Sequence, residues 1–348
     1  MNRRAGMDIA RHRGRVAHDG SRLLGLFLLL CLLVAAASWS VAMGATRIPL
    51  PTIWAAVVDL DGSREHLLVM TIRLPRVLAA VLAGSALAVS GAIMQAVTNN
   101  PLASPGLLGI NAGAAFAVVL VMTLFGAGVG DIYMWFAFAG AGAAALLVYA
   151  MGSFGPAGHS TIGLVIAGAV VATFLTALTS AVLIFDQNTL DAVRLWTAGS
   201  VSGRTMAQNA GVAPYIVAGL AVGLLLGRHL VTLSLGAEAA RSLGQNPAVW
   251  RAISIGVVIL LAGSAVSLAG PIGFVGLVVP HIARLTIGVD YRWIVPFSAV
   301  GGALLVVVAD LAGRMIFGSQ DFPVGVTTAL IGAPFFLWLA RSRAGSAT

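Results

Sequence analysis

Arg73 and Arg76 stand three apart in the stretch Arg-Leu-Pro-Arg, so on a continuous helix they share one face. A guanidinium presents a rigid fork of donors that suits a carboxylate. Asp310 and Arg314 are four apart, the spacing of an ion pair along a helix, and arginines there also suit anchoring at a membrane interface. Pro75 fits a first helical turn, which predicts a membrane helix starting near Leu74. His281 could relay a proton or bind a metal. No second histidine or carboxylate stands near it in sequence, so a structural hydrogen bond is the expectation. The other histidines, His12, His18, His66, His159 and His229, are scattered, and no HExxH occurs. Neither a catalytic constellation nor a metal site is predicted.

All 20 basic residues are arginine. Without lysine there can be no GxxxxGK[ST] phosphate loop and no Schiff base. If ATP drives this protein, the ATPase must be another polypeptide. The net charge of +8 raises nucleic acid as a partner, but most arginines lie at the ends of apolar segments. Membrane topology accounts for them, and no nucleic-acid partner is expected.

Of the 348 residues 59% are hydrophobic and 9% charged, against ~25% charged in soluble domains. So few charges cannot cover a soluble fold, and several apolar stretches of ~20 residues predict an all-α polytopic membrane protein. The single cysteine, Cys31, lies in the first apolar run and can form no internal disulfide.

About ten spans are expected. A basic cytoplasmic tail (1–22) with Arg3, Arg4, Arg11, Arg13, Arg15 and Arg22 precedes the first, from Leu23 to about Met43. A cleaved signal peptide ending near Ala42–Ala45 is the other reading, but the later spans favour a retained helix, with the tail near anionic lipid. A polar outer segment (46–65) leads to a second span, His66–Val97. The next three are Pro105–Phe125, Ile132–Met151 and Ile162–Ile184. An outer segment (185–208) follows, then Ala210–Leu226 and a polar stretch (228–251). The last four are Ala252–Leu268, Ile272–Leu285, Ile294–Phe317 and Val324–Leu339. The eighth is expected to be short or broken, because Pro271, Gly273, Gly276 and Pro280 interrupt it. One permease domain (23–343) is therefore expected, with a C-terminal tail (344–348). The excess of arginine on one side puts both termini in the cytoplasm. Leu82-Ala83-Gly84 and Leu268-Ala269-Gly270, each read as opening a Gly-rich helix, form a weak echo of the kind chance supplies.

Three motifs carry the functional reading. Val81 to Gly113, VLAGSALAVSGAIMQAVTNNPLASPGLLGINAG, is an apolar run of small residues, then a proline-punctuated polar loop, then a second apolar run. Small residues let helices approach closely in lipid, and irregular backbone at membrane depth must be buried in protein or line a path. Asn99 and Asn100 can also simply end a helix. Within the segment 232–250, Leu235, Ala239 and Leu243 fall at helical spacing, while Glu238 and Arg241 are polar. A short amphipathic helix is predicted there, stopped by Gly244 and kept from resuming by Pro247. The third motif is Ser267 to Arg284, SLAGPIGFVGLVVPHIAR.

Together these motifs closely resemble the permease subunits of ABC importers for iron-siderophores, haem and cobalamin, of the FecCD type, over residues 23–343. The resemblance implies the type II importer architecture and a transport subunit rather than an enzyme. It implies a second permease copy or paralogue, an ABC ATPase dimer that uses ATP and Mg, and a periplasmic or lipid-anchored substrate-binding protein. This chain would bind no cofactor itself. Glu238, Ala239, Ala240, Arg241, Leu243 and Gly244 match the family's coupling loop, which seats in the ATPase. Arg73, Arg76 and Arg314 match arginines that meet carboxylates on the binding protein. Asn100 and Leu102, with Ser160 and Thr161, match constrictions at the inner mouth of a path lined largely by the fifth and tenth spans. Inward transport of iron(III)-siderophore across the cytoplasmic membrane by alternating access is the expected function, with haem or cobalamin as the alternatives. An ion-coupled secondary transporter fits poorly, because the spans offer almost no central ionisable residue besides Asp310.

Overall fold

The computed structural model describes residues 2–344 apart from 45, 60, 127–130, 154–160 and 319–321. In chain order the α-helices are α1 (Asn2–Ala42), α2 (Leu50–Val58), α3 (Arg64–Leu68), α4 (Leu74–Thr98), α5 (Ile110–Phe125), α6 (Ile132–Ser153), α7 (Thr161–Phe185) and α8 (Gln187–Thr197). They continue as α9 (Met206–Leu225), α10 (Gly227–Leu233), α11 (Ala237–Ser242), α12 (Pro247–Ala269), α13 (Val275–Ile287), α14 (Tyr291–Phe317) and α15 (Val324–Ala344). Among the described residues seven helical runs are long and apolar enough to cross a membrane, and α5, α13 and α15 are shorter apolar helices. Each of the ten expected apolar segments falls on one of these.

The centre of the bundle is α4. It packs against α14, α12, α13 and α9, while α5, α6 and α7 form a trio joined to it through α12, and α1 lies along α14. Nearly every α4 residue is buried. The composition of the Val81–Gly113 run explains this position. A Cβ on Gly84 would collide with the Gly302 carbonyl of α14, and one on Gly91 with the backbone of Gly276 in α13. In lipid, where apolar area gives no net drive between helices, such close approach is what holds a bundle together.

The boundaries hold several corrections. The α4 helix does begin at Leu74, but it is no fresh start, because residues 64–98 form one continuous helical run. A π turn, Val69–Arg73, precedes Pro75 in it. Proline lacks the N–H for an i→i−4 bond and its ring crowds the preceding turn, and a widened turn accommodates both effects. The polar segment 46–65 contains α2 and the start of α3, and the segment 185–208 contains the amphipathic α8, capped by Asp186. Pro247 does not merely block a helix: it opens α12, with Asn246 as N-cap accepting from the Ala248 and Val249 N–H groups. The Leu-Ala-Gly echo dissolves too, since Gly84 lies mid-helix and Gly270 terminates α12.

Candidate functional site

Two ends of the bundle gather polar residues. At one end Arg76, Asp310 and Arg314 meet inside the protein, all three buried. The Arg76 Nε donates to both carboxylate oxygens of Asp310 at 3.1 and 3.0 Å, and its Nη2 donates to Oδ1 at 2.8 Å. Arg314 Nε lies 3.1 Å from Asp310 Oδ2, the i,i+4 pair that the sequence offered. One carboxylate thus serves two guanidinium groups, and buried charges of this kind persist only when paired and hydrogen-bonded.

Other guanidinium donors hold the end of α1. Arg314 donates to Ser40 Oγ at 2.7 Å and to the Met43 carbonyl at 3.1 Å. Arg73 Nη1 donates to the carbonyls of Val41 at 2.8 Å and Ala42 at 2.9 Å. Those carbonyls end α1, where the helix supplies no partner and the partial charge is negative, so a cation is well placed there. Gly44 makes this approach feasible, since a Cβ there would stand 2.9 Å from the Arg73 guanidinium. Arg73 and Arg76 therefore do not act as one pair: Arg73 turns to α1 and Arg76 to α14. Even so, Arg73, Arg76 and Arg314 all line one cleft of about 490 Å³, with exposed Arg64 and Glu65 among its other walls.

At the other end α4 stops at Asn99, whose φ of 52° is left-handed. Asn100 folds the next turn: its Oδ1 accepts from the Leu102 N–H at 2.9 Å and its carbonyl from the Ala103 N–H at 3.1 Å. The two asparagines do end a helix, and Leu102 projects beyond them, 45% exposed. Ser160 lies outside the described residues; Thr161 opens α7.

Beside this loop stands α11, six residues long. Glu238, Arg241 and Gly244 are exposed, Ala239 is half-buried and Ala240 is buried against the bundle. Leu235 and Leu243 flank the helix, each 62% exposed. Gly244, at φ +79°, turns the chain out of the helix, and the Gln245 N–H closes back on the Ala240 carbonyl at 2.9 Å. The segment is braced at its base. His229 of α10 stacks on Trp250 of α12 with ring centroids 3.5 Å apart, and Gln245 Nε2 lies 2.9 Å from His229 Nδ1. Residues twenty-one apart with no periodic relation gave the sequence no sign of this stack.

His281 is buried, with its ring edge-on to Phe335. Arg284 reaches from α13 to Gln95 of α4, whose amide donates to the Gly276 carbonyl at 3.3 Å. Asp290 caps α14, and the Arg292 side chain bonded to it holds its carboxyl below the usual range, outweighing the opposing effect of burial. Among the described residues no three of His, Cys, Asp and Glu gather as metal ligands.

Comparison with known proteins places this arrangement. Residues 29–342 match the FecCD transport family. The chain is 41% identical over 321 residues to the probable siderophore transport system permease protein YfiZ of Bacillus subtilis, covering 92% of this chain and 96% of that one. It is 40% identical over 316 residues to the ferric enterobactin transport system permease protein FepD of Escherichia coli, covering 90% and 94%. With the hemin transport system permease protein HmuU of Yersinia pestis it shares 38% identity over 322 residues, covering 91% and 95%. Among solved structures, an inward-facing metal-chelate type ABC transporter superposes with a TM-score of 0.80 at 26% identity, covering 91% of this chain and 98% of that one.

Proposed function

The chain belongs to the FecCD transport family, and from that premise we propose that it is the permease subunit of an ATP-driven importer carrying iron(III)-siderophore complexes inward across the cytoplasmic membrane. The observation that carries the energy-coupling part is α11. A short helix braced by the His229–Trp250 stack, with Leu235 and Leu243 held out in the open, suits insertion into a cleft of another protein. Exposed leucines flanking a charged turn are what a partner surface would cover. A rigid helix transmits displacement where a loose loop would absorb it. The lysine-free sequence supports placing ATP and Mg on a separate ATPase dimer.

The α11 end is then cytoplasmic, as are both termini, and the Arg76–Asp310 end faces outward. A binding protein docking there would find Arg73, Arg76 and Arg314 lining one cleft, with Arg64 at hand for a carboxylate. Asn100 and Leu102, together with Ser160 and Thr161, would form the inner constriction. A second permease copy or paralogue would complete the path against α7 and α15, whose apolar residues Phe174 and Leu330 are exposed. The siderophore assignment rests on the substrates for which relatives such as YfiZ and FepD are named. A chelate whose iron is already fully ligated needs no bare-ion site in the spans.

The test is reconstitution with the partner ATPase and a panel of binding proteins loaded with ferric siderophore, haem or cobalamin. ATP-driven uptake confined to ferric siderophore is the expected result. Uptake of haem or cobalamin alone would overturn the substrate assignment, and absence of any ATPase association would overturn the importer reading.

A further inference from the structure

We propose that Asn99 is a positioning residue that ties the mouth loop 99–102 to the coupling helix, so that displacement of α11 is passed on to Leu102. The inference rests on the permease reading above.

The Asn99 side chain faces the carbonyl oxygens of Leu233 and Ser234, and only its amide nitrogen can answer them. So oriented, it donates to Leu233 at 3.2 Å and to Ser234 at 2.7 Å. These carbonyls close α10, where the helix itself supplies no partners. The left-handed backbone of Asn99 turns its side chain out of the α4 line toward α10, and asparagine is one of the few residues besides glycine to adopt that conformation readily.

From Leu233 the connection runs on without slack. The Leu235 N–H donates to the Thr232 carbonyl at 3.2 Å, the Gly236 N–H to Leu233 at 3.1 Å and the Ala240 N–H to Gly236 at 3.0 Å. The chain therefore passes from α10 into α11 through closed turns. On the other side, the Asn100 turn fixes Leu102 relative to Asn99. Hydrogen bonds and the short backbone steps between them thus link α11 to Leu102, and Asn99 is the side chain by which the loop reaches α10. Such contiguity is a physical route for coupling, and its worth is established by perturbing the joint.

Two substitutions separate this role from a structural one. Asn99→Gly satisfies the left-handed turn but donates no side-chain hydrogen bond, and Asn99→Asp keeps the shape but can only accept. Each is assayed in the assembled permease–ATPase complex in liposomes, with binding protein, for uptake per ATP hydrolysed. Spin labels at Leu102→Cys and Ser242→Cys in a Cys31→Ser background report whether the loop follows the coupling helix when ATP binds. Both variants should lower uptake per ATP by about thirtyfold, as loss of two ordinary hydrogen bonds implies. In both, the label at 102 should stop following the label at 242. Asn99→Gly transport within about twofold of wild type, with the labels still moving together, would assign Asn99 to turn geometry alone and overturn the proposal. A wild-type complex that hydrolyses ATP without moving substrate would strike the permease reading itself, a failure visible before any variant is compared.

Discussion

Asp310 of α14 holds Arg76 of α4 at one end of the helix bundle, with both carboxylate oxygens bonded to the same guanidinium. Because Arg314 shares that carboxylate, Asp310→Asn leaves two buried guanidinium groups facing each other without a counter-charge. Removal of one partner from a buried pair costs about 3–5 kcal/mol. Thermal unfolding of the variant in detergent should show a large drop in midpoint. Stability equal to wild type would mean that water or lipid headgroups solvate the cluster.

Gly91 marks the closest approach of α4 to α13, where any side chain would meet the backbone of Gly276. Gly91→Val forces these helices apart, and overpacking of this kind costs about 1–3 kcal/mol or more. Cysteine cross-linking between α4 and α13 should weaken sharply in the variant. Wild-type cross-linking would show that the contact tolerates a side chain.

Glu238→Arg places an additional cation beside Arg241 on the exposed face of α11. Uptake should be lost while ATP is still hydrolysed, with the chain normally inserted in the membrane. Normal uptake by this variant would remove α11 from the coupling role.

Asp186 caps α8, accepting from the Thr189 hydroxyl at 2.6 Å and its N–H at 3.0 Å. These bonds, the side-chain one first, hold its carboxyl below the usual range. A depressed folded pKa contributes stability that is full above the unfolded value of about 3.9 and is lost as pH falls through the folded value. Amide protection in α8 should therefore be flat from neutrality to about pH 5 and fall only in more acid solution. Asp186→Asn should abolish that acid step; an unchanged step would assign it to another group.

The apolar framework was legible because composition and span length leave few choices for a chain with so few charges. The Gly-Ala-Ser run of α4 also announced its central place, since small residues have little other use in a long apolar helix. What escaped was local chemistry. Pro75 and Pro247 both read as boundaries, yet the first sits inside a continuous run and the second opens a helix. The difference lies in the turn before each proline, which no single residue specifies. The pairing of Asp310 with Arg314 followed from i,i+4 spacing, whereas Arg76 lies 234 positions from Asp310 and only folding could reveal the triad. Asn99 and Asn100 were visible as a helix stop, but the reach of Asn99 to α10 depends on a left-handed backbone that a sequence only permits.

The most direct test of the central claim is uptake into liposomes holding this chain with and without its ATPase. The account predicts no accumulation by the chain alone under any proton or sodium gradient, and ATP-dependent accumulation of ferric siderophore once the ATPase and loaded binding protein are present. Accumulation by the chain alone, driven by an ion gradient, would contradict it.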